Sequence, residues 1–154
     1  MLKVQDKPIK KGGKYGAEKS MDNEGNSFRS KLELYCSNKL KENDIEFEYE
    51  PMSFILLDDF YHQFEAWEVK RLKGNNVYSN LNRKVMKIKY VPDFVGKDWI
   101  IETKGHRTPE FNIKWKLFKA YLYANGLHYN LFLPTSNKQV DLSIQIIKQG
   151  GVLE

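Results

Sequence analysis

A chain of 154 residues with 41% apolar residues suits one domain with a single hydrophobic core, and leaves no room for a separate regulatory domain. No stretch approaches the ~20 apolar residues that cross a bilayer, and the N-terminal residues lack the apolar core of a signal peptide. The single cysteine, Cys36, excludes an intrachain disulfide and a cysteine-rich zinc site. We therefore expect a soluble, cytoplasmic protein with no membrane partner. The net charge of +5 favours a polyanionic binding partner.

Residues 1–26 are predicted to form a flexible basic arm. Lysines recur through the first twenty residues, with Lys10, Lys11 and Lys14 at the centre, and glycines separate them. A mobile basic segment can neutralise DNA phosphates without reading the base sequence. A solubilising tail with no partner explains the same composition equally well, so the arm alone does not decide between the two.

Residues 27–154 show the alternating helix and strand patterns of an α/β domain. Ser27 is a predicted N-cap, and apolar residues at helical spacing predict a helix that ends near residue 43, with Cys36 on its inner face. Residues 45–50 alternate apolar and acidic side chains, which predicts a half-buried strand. Residues 54–57 are a candidate continuation of the same sheet.

The second half of the domain contains an insertion and then a compact run of strands and helices. Residues 51–84 are predicted to form a hairpin or irregular insertion around the turn signal at residues 74–76. The following pattern predicts a mixed sheet flanked by helices. The predicted elements are strands 85–95 and 99–104 around a turn at 96–98, helix 110–124 with the apolar stripe Phe111, Trp115, Phe118 and Leu122, strand 129–133, and a closing helix or strand at 141–149.

The hairpin at residues 85–104 brings three charged residues together. If Lys97 and Asp98 form a two-residue turn, Asp93 lies opposite Glu102, with Cβ atoms roughly 5 Å apart. Lys104 shares a strand face with Glu102, because side chains two residues apart point to the same side. A turn with an odd number of residues and no bulge would separate the three.

Two carboxylates at this spacing repel each other unless a proton or a cation lies between them. Oxygen ligands suit Mg²⁺, for which Mn²⁺ can substitute, and a bound metal acidifies water for attack on a phosphodiester. Lys104 could orient that water or offset phosphate charge. A cross-strand salt bridge on a solvated face is the simpler explanation of a lone Glu-x-Lys. The apolar neighbours of this hairpin favour a central position, where charges are unusual without a purpose.

With these residues in place, the sequence resembles the PD-(D/E)xK nuclease superfamily, and within it the phage endonuclease I family of Holliday-junction resolvases. The resemblance covers about residues 28–133 in patches and implies a restriction-endonuclease-like fold, active on branched DNA. A phage origin would place the protein in the host cytoplasm. The matching patches are Phe28–Glu33, Ile45–Glu50, Pro92–Phe94 and Glu102–Gly105.

The resemblance also implies roles for individual residues. Asp93 and Glu102 would bind the metal together with the backbone carbonyl of Thr103, and Lys104 would act on the attacking water. Glu33 would serve a second metal or hold waters around the first. The family members are dimers with exchanged segments, so the resemblance implies a homodimer that takes part in DNA recombination.

Other basic residues are candidate DNA contacts beside this site. They are Arg29, His106 and Arg107, together with the arm lysines; for the loop residues 106–107, a solvated position without a partner is nearly as plausible. Two further functions stay open. One is a duplex-cutting or nicking enzyme of the restriction or homing type, motivated by the insertion at residues 51–84. The other is a non-catalytic nucleic-acid-binding domain.

Overall fold

The structure is a computed structural model that describes residues 20–80 and 84–150. Most of the predicted basic arm, including its three central lysines, lies outside the described residues. From residue 20 onward the arm prediction is wrong, because strand β1 (Ser20–Met21) pairs antiparallel with strand β2 (Ser27–Phe28). Asp22 stabilises the connecting loop, since its side chain accepts hydrogen bonds from the backbone of Glu24 at 3.0 Å and of Asn26 at 2.8 Å.

Helix α1 (Lys31–Glu42) begins three residues later than predicted. Its N-cap is Ser30 and not Ser27, because Ser27 pairs with β1 and only Ser30 accepts a hydrogen bond from the Glu33 backbone N–H. The helix ends at the Asn43 C-cap, as predicted. Cys36 is fully buried, which confirms its placement on the inner face.

A mixed four-stranded sheet forms the centre of the domain, in the order β12, β11, β10, β3. Strand β11 runs parallel to β12, whereas β10 runs antiparallel to both β11 and β3. The α/β fold class is therefore confirmed. The strands are shorter than the sequence predicts, and their bounds are β3 (Glu48–Tyr49), β10 (Phe94–Val95), β11 (Trp99–Ile101) and β12 (Asn130–Phe132).

Three helices cover the two faces of this sheet, because consecutive strand residues point to opposite sides. Phe94 and Ile101 pack with helix α1 and helix α3 (Asn137–Lys148) in one core. Val95 and Ile100 pack with helix α2 (Pro109–Ala124) in a second core. The segment at 141–149, for which helix and strand were both open, is thus helical. The predicted stripe of α2 is confirmed, since all four of its members are buried.

The segment between β3 and β10 forms a two-stranded arm in place of a continuation of the sheet. Each pairing is antiparallel, and the paired strands, which lie within residues 54–80 and 84–90, define the β-arm. The predicted hairpin is confirmed, whereas the predicted single strand over 85–95 is wrong. Pairing within the β-arm ends at Tyr90, and pairing in the central sheet begins at Phe94. Between them, Pro92 has no backbone N–H to donate to a neighbouring strand. The pairs are β4 (Phe54–Leu57) with β9 (Ile88–Tyr90), β5 (Phe60–Tyr61) with β8 (Lys84–Val85), and β6 (Trp67–Leu72) with β7 (Asn75–Asn80).

Candidate active site

The turn between β10 and β11 has the two-residue form on which the site prediction depends. Val95 pairs with Ile100, and the Gly96 backbone N–H donates to the Trp99 carbonyl at 3.0 Å. Continuing this register by two residues places Asp93 opposite Glu102. Glycine is required at position 96, because a Cβ there would overlap the indole ring of Trp99.

Asp93 is buried, and its carboxylate is held by the residue that follows Glu102. Its Oδ2 accepts hydrogen bonds from the backbone N–H and the hydroxyl of Thr103, both at 2.8 Å. No donor among the described residues reaches Oδ1. The Asp93 carbonyl accepts from the Glu50 backbone N–H at 2.9 Å, which ties the residue to the end of β3. Asp93 therefore has a fixed orientation and one oxygen left for a ligand.

Glu102 is buried beside Asp93, and a tyrosine from the β-arm fixes it. The Tyr90 hydroxyl donates to Glu102 Oε2 at 2.8 Å. The Glu102 backbone N–H donates to the Phe132 carbonyl at 2.9 Å, so the parallel pairing with β12 continues past the end of β11. On the other side, the Lys104 Nζ lies 3.9 Å from Glu102 Oε1, too far for a hydrogen bond.

Lys104 is half-buried with its ammonium group close to the carboxylates. Its Nζ lies 4.8 Å from the centre of the Phe111 ring, in a cation–π contact with the first turn of α2. Its backbone N–H donates to the Pro134 carbonyl at 3.0 Å. Asp93, Glu102 and Lys104 thus meet at one end of the central sheet, as the hairpin argument predicted.

Glu33 reaches the same region from the first turn of α1. The Ser30 hydroxyl donates to its Oε1 at 3.0 Å, which makes a capping box with the bond from the Glu33 N–H to Ser30. Its Oε2 accepts from the Arg29 backbone N–H at 3.0 Å and from the Tyr49 hydroxyl at 2.6 Å. Glu33 is buried and close enough for its charge to raise the pKa of Asp93, but both of its oxygens are already hydrogen-bonded.

The two central carboxyl groups are both easier to protonate than ordinary ones. Burial, partly opposed by the hydrogen bonds from Thr103, raises the pKa of Asp93 from 3.8 to about 6. Burial and then the charge of Asp93 raise the pKa of Glu102 from 4.5 to about 8. Two negative charges in one buried site destabilise each other, which favours the protonated forms. A bound cation would relieve that repulsion.

Two residues of the site were missed by sequence reasoning, Tyr49 and Tyr90. Burial and the partner carboxylate raise the pKa of each phenol, so both act as hydrogen-bond donors in the physiological range. The sequence pattern predicts only that Tyr90 lies in a strand and that Tyr49 lies on the apolar face of one. A pattern of apolar alternation does not separate tyrosine from phenylalanine, whereas a hydroxyl in a buried position needs a partner.

The predicted DNA contacts are spread around this centre. Arg29 forms an ion pair with Glu50, and its side chain remains 65% exposed. His106 and Arg107 are exposed in the loop between β11 and α2, where they stay candidates. Lys10, Lys11 and Lys14 lie outside the described residues.

The described residues contain no group of three or more His, Cys, Asp or Glu side chains that could hold a metal ion by themselves. The candidate ligand set is of another kind, because it consists of two carboxylates and the backbone carbonyl of Thr103. A cavity of about 640 Å³ lies elsewhere, at the opposite end of β11 beside Asp98. The carboxylates therefore lie outside that cavity, beyond the other end of β11.

Comparison with known proteins assigns a family. The family model described as "Protein of unknown function (DUF1064)" matches residues 12–132. The chain belongs to the DUF1064 family. The DUF1064 match includes Glu33, Asp93, Glu102 and Lys104 and the whole β-arm, and it ends at the last residue of β12. Neither the search of curated proteins nor the search of solved structures gave a match.

Within residues 20–80 and 84–150, no helix is long and apolar enough to cross a membrane.

Proposed function

We propose that this protein is a metal-dependent endodeoxyribonuclease that hydrolyses phosphodiester bonds at the Asp93, Glu102 and Lys104 cluster. The observation that carries the proposal is the meeting of two buried carboxylates and a lysine at one end of the central sheet, in the order of the PD-(D/E)xK motif. A cross-strand salt bridge explains this cluster less well. The ion pair between Lys104 Nζ and Glu102 Oε1, at 3.9 Å, offsets the charge of only one of the two carboxylates. Burying a second carboxylate beside it is costly without a cation.

The residues present fit a hard divalent cation. All candidate ligands are oxygens, and Asp93 Oδ1 has no hydrogen-bond donor among the described residues. Thr103 and Tyr90 hold the other oxygen of each carboxylate, which orients the ligands in advance. Mg²⁺ suits such a set, because it binds few protein oxygens and keeps several waters, and Mn²⁺ is a plausible substitute.

The side chains around the carboxylates have different proposed roles in the reaction. A bound divalent cation would supply positive charge to the phosphate and lower the pKa of a water molecule. Lys104 lies where its ammonium can donate to the attacking water or to a phosphate oxygen. Glu33 acts as a positioning residue, since its hydrogen bonds with Ser30, Arg29 and Tyr49 join α1 to the end of β3 beside Asp93.

The substrate proposed from the family resemblance is branched DNA, with a four-way junction as the type case, and the proposed assembly is a homodimer. A duplex-cutting or nicking enzyme is the second candidate. The β-arm favours it, because it adds a separate exposed surface from which a duplex could be recognised.

The test offers purified protein a four-way junction, a linear duplex of the same sequence and a single strand, each with Mg²⁺, Mn²⁺ or EDTA. Cleavage of the junction with either metal, and none in EDTA, is expected. Preference for linear duplex would select the second candidate. No cleavage of any substrate with either metal would refute the nuclease proposal and leave a non-catalytic binding domain.

The decisive variant is Lys104→Ala, which is expected to bind DNA but not cut it. Lys138→Ala is a matched control, since it removes the same charge from an exposed position in the first turn of α3. Sedimentation of the wild-type protein tests the proposed homodimer separately.

A further inference from the structure

The hairpin β6–β7, which we call the ribbon, forms the outer part of the β-arm. It pairs in regular register from Trp67 with Asn80 to Leu72 with Asn75, and the turn at Lys73 and Gly74 closes it. Both turn residues have positive φ, at 48° and 85°. The ribbon is connected to the candidate site through β9, whose last residue, Tyr90, holds Glu102.

The ribbon exposes large side chains on both of its faces. Exposure is 58% for Trp67 and 69% for Tyr78 on one face, and 56% for Leu72 on the other. A two-stranded hairpin of this size has no core of its own. Exposed large apolar side chains on a segment without a core of its own are typical of an interaction surface.

Charge identifies the partner. No acidic residue occurs between Glu68 and Asp93, whereas that stretch carries seven lysines and arginines. Among them, Lys84 forms an ion pair with Asp59 at the base of the β-arm. A segment with this charge attracts a polyanion and repels a second copy of itself.

The strand residues on one face of the ribbon combine a cationic group, an amide and aromatic groups. The acid beside them is Glu65, just before β6, which accepts a hydrogen bond from the Trp67 indole N–H at 3.0 Å. Alternation along the strands places Trp67, Val69 and Arg71 on this face, opposite Asn76 and Tyr78. Arg71 pairs directly with Asn76, and Val69 with Tyr78. Arginine and asparagine are the side chains that make two-point hydrogen bonds to guanine and adenine, respectively. Glu68 lies on the other face, which makes that face the poorer match for DNA.

We propose that the ribbon is a duplex-DNA-binding element that lays its Arg71 face into the major groove beside the cleavage site. The major groove is about 12 Å wide and admits a two-stranded β-ribbon. A six-residue strand spans about 20 Å, enough to cross that groove. The inference rests on the proposed nuclease function and extends it, because it assigns the recognition of the DNA arms to a surface separate from the carboxylates.

The experiment measures binding of the full-length chain, carrying Glu102→Gln to prevent cutting, to a labelled 30-base-pair duplex by fluorescence anisotropy. Arg71→Ala is expected to weaken binding by about tenfold. If Arg71 contacts a phosphate, the slope of log affinity against log salt also falls by about one. Lys138→Ala, the matched loss of one exposed charge outside the ribbon, is expected to leave both values unchanged. Equal affinities for Arg71→Ala and Lys138→Ala would overturn the proposal.

A second binding experiment tests whether the ribbon lies in the major groove. Bulky substituents at the C5 position of pyrimidines occupy the major groove. With such a duplex, the difference in DNA affinity between the Arg71→Ala protein and its parent is expected to disappear. Persistence of that difference would overturn major-groove binding. Circular dichroism of each ribbon or control variant checks that the substitution leaves the fold intact, which is expected because the replaced side chains are exposed.

A second copy of the chain is the rival occupant, and sedimentation of a Trp67→Ser, Tyr78→Ser double variant distinguishes it. Conversion of a dimer to a monomer by this variant, with unchanged DNA affinity in Arg71→Ala, would make the ribbon a dimer contact and refute DNA binding there. The two proposals fail separately. If ribbon variants leave cleavage unchanged, only the ribbon proposal is refuted. If DNA binding depends on the ribbon but the protein with Glu102 intact does not cleave DNA, only the nuclease proposal is refuted.

Discussion

Replacing Glu102 by glutamine is expected to stabilise the protein at pH 8 in the absence of divalent cations. In the folded protein, burial and then the charge of Asp93 raise the pKa of the Glu102 carboxyl group from 4.5 to about 8. An acid with a raised pKa binds its proton more tightly in the folded state. Its contribution to stability is therefore lost as the pH rises from about 4.5 to about 8. Glutamine keeps the shape of the side chain and does not ionise.

The expected gain follows from the size of the pKa change. Each pKa unit corresponds to about 1.4 kcal/mol, which gives on the order of 4 kcal/mol at pH 8. A weaker hydrogen bond from Tyr90 to the amide offsets about 1 kcal/mol, so a net gain of about 3 kcal/mol is expected. At pH 5 the folded protein already holds the proton, and the gain falls below about 1 kcal/mol.

Urea denaturation in EDTA at pH 5 and pH 8, followed by tryptophan fluorescence, measures this difference. In a thermal melt the gain at pH 8 corresponds to about 6–12 °C for a chain of this size. Glu46→Gln, at an exposed carboxylate before β3, serves as the control and is expected to change stability by no more than about 0.5 kcal/mol. Excess Mg²⁺ is expected to stabilise the wild-type protein more than Glu102→Gln. If Glu102→Gln lowers stability equally at both pH values, Glu102 acts only as a hydrogen-bond acceptor and the repulsion argument is wrong.

Three further predictions concern the elements that position the site. Gly96→Ala is expected to destabilise the protein by about 1–3 kcal/mol, because the new methyl group overlaps the Trp99 ring, and an unchanged melting temperature would contradict this packing. Ser30→Ala removes both side-chain bonds of the capping box with Glu33 and is expected to cost about 1–2 kcal/mol in urea denaturation, with Ser30→Thr retaining most of the stability. Cys36 is fully buried and burial raises the pKa of its thiol, so a thiol reagent at pH 8 is expected to modify it only after unfolding; rapid labelling of the folded protein would contradict its burial.

The local parts of this structure could be predicted from the sequence. A two-residue turn fixes hairpin register geometrically, so the sequence predicted Asp93 opposite Glu102, with Lys104 beside them, if Lys97 and Asp98 form such a turn. The structure shows that turn. The stripe of α2 and the inward position of Cys36 follow from helical periodicity. These predictions succeed because each depends on residues that are close together in the chain.

The predictions that failed involve the choice of pairing partner. The segment 85–95 has uniform strand character, yet it splits into three strands. Strands β8 and β9 pair within the β-arm, whereas β10 joins the central sheet. For residues 141–149 the sequence left helix and strand open, and tertiary packing decided between them. Val140 and Ile144 pack into the core that α1 also lines, although α1 lies some hundred residues earlier in the chain.

The sequence by itself therefore determined which three charged residues form the candidate site, and it determined their register on the condition that Lys97 and Asp98 form a two-residue turn. Only the tertiary structure decided how those charges are held. Tyr90 reaches Glu102 from the base of the β-arm, and Tyr49 reaches Glu33 from β3. Such buried hydrogen bonds join elements that are distant in the chain, and their partners are fixed only when the sheet, the helices and the arm pack together.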